Sequence, residues 1–161
     1  MLRVIALLLL FTFPCAAQSW SRVGEEWKHK NGMFVRFPPE FLVETLESGV
    51  LQAQGKQGFV SFSVQGLKGE KEMKSWKKAN QQSLDQEKLP VKSETEHALK
   101  SGVKVQFVES ERTSEQGVLF VVMFAAFVKG PDSLGMQFYY PKEREKDWTP
   151  LFQGVVNSVH R

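Results

Sequence analysis

The sequence predicts an α+β fold, an α/β/α sandwich in which a mainly antiparallel central sheet of about six or seven strands is flanked by helices. Three observations carry that prediction. The run 118–128, VLFVVMFAAFV, is apolar on both of its alternating sides, so a strand there needs cover above and below. Several extended runs are paired through short glycine-containing turns, the pattern of antiparallel hairpins. Two stretches, 70–88 and 148–159, place their apolar residues at offsets of three and four, the period of helices laid on a sheet.

In chain order, Trp20, Val23 and Trp27 predict a short N-terminal helical turn, ended by Asn31-Gly32. A first strand is expected over 33–37, closed by Pro38-Pro39. Runs 50–54 and 59–65 flank GKQG and predict a hairpin, in whose second arm Val60, Phe62 and Val64 alternate with Ser61, Ser63 and Gln65. Residues 70–88 lose the β-branched types and predict a helix ending before Leu89-Pro90, with Met73, Trp76 and Leu84 as its apolar stripe.

Runs 91–97 and 103–111 predict a second hairpin, with Glu96 facing Lys104. After the apolar strand, KGPDSLG reads as a turn into a strand over 136–140. In the last helix Trp148, Leu151, Phe152, Val155, Val156 and Val159 share a face; Thr149 is placed as its cap and Pro150 in its first turn. Gly154 there implies close packing on the sheet. With no repeat or linker, residues 18–161 read as one domain.

Residues 1–17 read as a signal peptide: Arg3 precedes an apolar run over 4–13, and Cys15-Ala16-Ala17 offers small residues for cleavage between Ala17 and Gln18. The run is well short of the ~20 residues a spanning helix needs. The alternative is a lipid anchor on Cys15, but Pro14 and Thr12 stand where that route takes a small residue and a leucine. Cleavage of 17 from 161 residues leaves 144 and removes the sole cysteine, excluding disulfides and thiol chemistry. Loss of Arg3 leaves 20 Lys and Arg against 18 Asp and Glu, too even a balance to point to nucleic acid.

The stretches NGMFVRFPPEF, FVSFSV, MQFYYP and WTPLFQGVVNSV together resemble the PsbP/Mog1/DcrB-like superfamily of small α/β/α sandwiches. Gly32, Phe34 and Pro38 match that group's first strand, and Phe152 and Val156 its docking terminal helix. The resemblance covers most of the mature chain and implies an accessory or partner-binding role rather than a reaction.

Catalytic patterns are absent from the sequence: there is no G-x-S-x-G, no H-E-x-x-H and no glycine-rich phosphate loop. His29 falls in a lysine-flanked turn, His97 at a strand end and His160 next to the terminus, where fraying is expected. Glu94 with Glu96 and Glu109 with Glu111 project in pairs from strands; calcium would need further oxygens, and solvated edges account for them. Trp20, Trp27, Trp76 and Trp148 fall on buried stripes. No cofactor or metal is called for.

Two surface features remain as a candidate partner surface. Lys71, Lys74 and Lys78 form one stripe on the first helix, either a solvated face or a docking surface, and Tyr139 shares the Gln137 side of its strand, where helix cover would hide it. The expected function is that of an exported, periplasmic or secreted, non-catalytic protein that binds a protein partner in the cell envelope, with no transmembrane span in the mature chain. The alternative is a carrier holding a small apolar or amphipathic ligand between sheet and helix.

Overall fold

The computed structural model describes residues 19–55 and 60–161; the predicted leader, Cys15 and the Ala17-Gln18 junction lie outside the described residues. The elements run β1 (Trp20–Val23), β2 (Glu26–His29), β3 (Phe34–Val35), β4 (Phe41–Thr45), β5 (Leu51–Gly55), β6 (Ser61–Lys68), α1 (Gly69–Gln86), β7 (Val91–Ala98), β8 (Lys104–Thr113), β9 (Leu119–Lys129), β10 (Asp132–Pro141), a 3-10 turn (Lys142–Arg144) and α2 (Glu145–Asn157). Seven strands form one antiparallel sheet in the order β4-β5-β6-β10-β9-β8-β7, and β1, β2 and β3 form a second, small sheet. The α+β sandwich expected from the sequence is therefore present. β10 holds the middle of the large sheet, with the apolar β9 beside it.

Alternation along β6 and β10 sends Phe62, Val64, Met136 and Phe138 to one side, where they are wholly buried. There α2 delivers Phe152, Val155 and Val156, the small sheet delivers Trp20 and Val35, and Met33 joins them from just before β3. Phe62 stacks on Phe138 with centroids 4.1 Å apart, and Phe138 on Phe152 at 4.8 Å. Burying a phenylalanine contributes about 1.5–3 kcal/mol, so this stack is a principal fastening between sheet and α2. The opposite side is thinner: α1 sets Met73 and Trp76 over Leu67, Ala126 and Val128.

Several expectations are overturned, each for a local reason. Residues 20–27 are not a helical turn but the β1–β2 hairpin, because Gly24, at φ 61°, and Glu25 form its two-residue turn. Trp20 and His29 pair across it facing the core, while Val23 is 50% exposed, so the spacing of three marked no buried face. Only Phe34–Val35 of 33–37 is strand, and it belongs to the small sheet. The edge of the large sheet is instead β4, missed because Leu42, 69% exposed, masks the alternation of Phe41, Val43 and Thr45.

Glu96 lies opposite Gln106, and Lys104 opposite Ala98. The Leu99 N–H bonds the Val103 carbonyl at 2.8 Å and closes the hairpin later than the spacing suggested. Between β9 and β10 only Gly130-Pro131 turns; Asp132 and Ser133 already pair in the strand. Gly130 at φ 62° ahead of proline suits that turn.

The last helix starts at Glu145, with Glu145 and Asp147 in its first turn where the helix dipole favours acids. Pro150 is thus inside the helix, and the Thr149 hydroxyl donates to the Glu145 carbonyl at 2.8 Å instead of capping. Gly154 touches nothing a Cβ would meet within 4 Å; it borders a hollow of about 440 Å³ beside Pro38, Pro39 and Leu151.

His160 does not fray: its backbone bridges Phe34, with the Phe34 N–H on its carbonyl at 2.8 Å. Its ring stacks on Phe34 at 4.7 Å, and Nε2 stands 3.1 Å from the Glu26 carboxylate. Asn31 anchors the small sheet to the large one, donating from Nδ2 to the Ser133 carbonyl at 2.9 Å and accepting the Met33 N–H at 3.1 Å.

Candidate functional site: the outer face of α1 and the groove beside it

Helix α1 begins at Gly69, whose φ of 64° lets the chain turn out of β6, and the Glu72 carboxylate accepts the Lys68 N–H at 2.7 Å. It packs on β6, β9 and β10 and leaves β7 uncovered, every residue of which is exposed. Indole contact fixes its height. A Cβ on Gly135 would stand 2.4 Å from Trp76 Cε2, so the Trp76 ring lies directly on the β10 backbone.

Met73, Asn80 and Leu84 face the sheet, which turns Lys71, Lys74 and Lys78 outward, all exposed. Lys74 pairs with Glu70 at 2.6 Å, and the hydrogen bond from that ammonium holds the Glu70 carboxyl below its usual range. Both side chains are at least three-quarters exposed, and such a pair adds little stability. Lys71 and Lys78 make no ion pair or hydrogen bond among the described residues.

Tyr139 is not brought next to that stripe. It is half-buried and stacks on Phe120 at 4.3 Å, at the edge of a hollow of about 240 Å³ shared with Ser61, Ser63, Ser83 and Arg112, which none of the three lysines lines. Burial pushes its phenol up, and pushes Tyr140 further, to about 12, so neither ionises near neutrality.

Between α1 and strands β7–β9 runs a groove of about 290 Å³. Its floor is apolar, built by Trp76, Leu84, Val108, Phe124 and Ala126. Its rim carries Lys77, Lys78, Gln81, Glu94 and Gln106. Lys77 donates to the Gln106 side chain, which donates in turn to the Glu94 carboxylate, a chain that links helix to β8 and β7.

Asn80 also lines this groove and is about nine-tenths buried. Its Oδ1 accepts from Gln137 Nε2 at 2.8 Å, while its Nδ2 has no partner among the described residues. Sequence reasoning passed over it, although the signal was there: Asn80 interrupts the apolar series Met73, Trp76, Leu84 at offsets of three and four.

The other groups weighed for chemistry are dispersed. Glu94 and Glu96 lie on the α1 side of the sheet, Glu109 and Glu111 on the other, and Glu111 pairs with Lys142 and Lys92. His97 packs against Phe107 at 5.3 Å. Among the described residues no three His, Cys, Asp or Glu side chains are grouped as a metal site, and no helix is long and apolar enough to cross a membrane.

No family model matches the sequence, and no curated protein matches it. Solved structures do match in shape. The cyanobacterial PsbP (CyanoP) of Synechocystis sp. PCC 6803 superposes with a TM-score of 0.64 at 10% identity, over 92% of this chain and 95% of that one. A protein of Bacteroides thetaiotaomicron gives 0.56 at 12% identity, over 80% of this chain and 44% of that longer one. The Ran-binding protein Mog1p of Saccharomyces cerevisiae gives 0.52 at 13% identity, over 87% and 96%. At such identities the likeness speaks for architecture: the chain has the fold shared by PsbP and Mog1p.

Proposed function

We propose that this chain is an exported, non-catalytic accessory protein of the cell envelope that binds a protein partner through the outer face of α1. The observation that carries the reading is the outward stripe of Lys71, Lys74 and Lys78, two of them without a counter-ion among the described residues. It stands on a fold shared with a Ran-binding protein, which supports binding rather than a reaction. Export rests on the leader 1–17, whose removal between Ala17 and Gln18 gives a thiol-free mature chain in a periplasmic or secreted location.

The test is cross-linking in native envelope fractions, with wild type and the triple variant Lys71→Glu, Lys74→Glu, Lys78→Glu compared. One partner captured by wild type and lost by the variant, at unchanged melting temperature, supports the reading. Equal capture rejects the stripe, a native mass of the full chain rejects removal of the leader, and fatty acid on Cys15 rejects cleavage between Ala17 and Gln18 in favour of a lipid anchor.

A second reading, a carrier of a small apolar or amphipathic ligand, is favoured by the groove under α1 with the unpaired amide of Asn80 in its wall.

A further inference from the structure

We propose that the groove between α1 and strands β7–β9 binds an amphipathic monocarboxylate, a medium-chain fatty acid or a comparable aryl-alkyl acid. The apolar body lies on Trp76, Val108 and Phe124, and the carboxylate is received by Asn80 Nδ2 and the ammonium groups of Lys77 and Lys78. This inference rests on the carrier reading and gives that carrier its ligand class and site.

The size and lining set the first limit. About 290 Å³ is at the small end of ligand cavities, which run roughly from 300 Å³ upward and combine apolar walls with a few polar groups. Trp76 and Phe124 meet edge-on with centroids 6.5 Å apart, leaving an aromatic wall suited to a hydrocarbon chain or a ring.

The head group follows from the donors. Asn80 is fixed on its Oδ1 side by Gln137, so Nδ2 is presented by a side chain that does not reorient freely. A buried N–H without an acceptor is costly, and a ligand oxygen removes that cost. The charges on the rim are two ammonium groups, Lys77, which donates to Gln106, and Lys78, against one carboxylate, Glu94, which accepts from Gln106. An anionic oxygen satisfies both the amide and that excess positive charge, whereas an amine satisfies neither.

The test is calorimetric titration of the purified full chain with decanoate, 1-decanol and decylamine, backed by ligand-to-protein NOEs. Expected are one saturable decanoate site, at least tenfold weaker binding of decylamine, and NOEs to the Trp76 and Phe124 rings. Asn80→Asp, which keeps the acceptor for Gln137 and replaces the donor by a repelling oxygen, should weaken decanoate at least tenfold.

Should Asn80→Asp fail to fold, the exposed pair Lys77→Glu, Lys78→Glu is expected to weaken decanoate and leave decanol unchanged. Equal binding of all three compounds, decanoate binding insensitive to the folded variants, or NOEs to the Leu151 hollow instead, would overturn the carboxylate site while the carrier reading stands. Binding of none of the three overturns both.

Discussion

The imidazole of His29 occupies the space where a side chain on Gly66 would begin: a Cβ there would lie 2.0 Å from Cε1 and 2.2 Å from Nδ1. Trp20 closes the other side of the ring at 4.8 Å, and the Asn31 N–H donates to Nδ1 at 3.2 Å. The small sheet is thereby seated on β6 through one ring and one missing side chain.

Gly66→Ala should therefore destabilise the protein by about 1–3 kcal/mol, the usual cost of overpacking. Because the clash is with one ring, the same change in a His29→Ala background should cost clearly less. Urea unfolding of the four proteins of that cycle measures the coupling; equal costs in both backgrounds would mean that the strain lies elsewhere.

His29 also makes stability depend on pH. Its pKa is lowered by burial above all, with Lys30 and Lys68 adding to the effect and the Asn31 side chain opposing it. The folded state thus prefers the neutral ring, so its contribution is intact above the unfolded value of about 6.5 and is lost as pH falls from there through the lower folded value. Unfolding free energy should decline across that window with a slope of at most about 1.4 kcal/mol per pH unit. His29→Gln should flatten the decline, which chemical denaturation at a series of pH values would reveal.

Gly154→Ala should stabilise α2 by about 0.5–1 kcal/mol, since a methyl there meets open space and glycine is the weaker helix former. A melting temperature that does not rise would show that the hollow beside Pro38 and Leu151 needs the bare backbone.

Phe152→Ala should cost about 3–5 kcal/mol, because it removes the ring that stacks on Phe138 and meets Phe107 edge-on at 5.8 Å. A loss under 1 kcal/mol by denaturant titration would mean that α2 is held chiefly by other contacts.

What could be read in the sequence were the long signals. The alternation of β6, the unbroken apolar run of β9 and the stripe of α2 rest on six or more side chains each, so one exception does not hide them, and α1, with a stripe of only three, showed as a long run free of β-branched residues. The short elements were illegible for the opposite reason. In β1 and β2 the indoles at 20 and 27 matched a helical spacing by chance, and the decisive residue was Gly24. β4 carries only five residues, and Leu42 broke its pattern.

Of the candidate site, the lysine stripe was visible because its spacing is intrinsic to one helix. The groove was not, because it depends on where α1 stops across the sheet. Trp76 settling on Gly135 fixes that limit, a contact between residues 59 positions apart that no local pattern announces.

The strand order carries a consequence for how the chain comes into being. β4 to β6 and β7 to β10 are two meanders, each paired between neighbours in sequence, and one seam joins them, residues 61–68 against 132–139. Until β10 emerges from the ribosome or a translocation channel, β6 waits with an open edge and Phe62 lacks Phe138. Such late, distant pairing makes for slow folding and a long exposure of sticky surface, which places a premium on chaperones along the route.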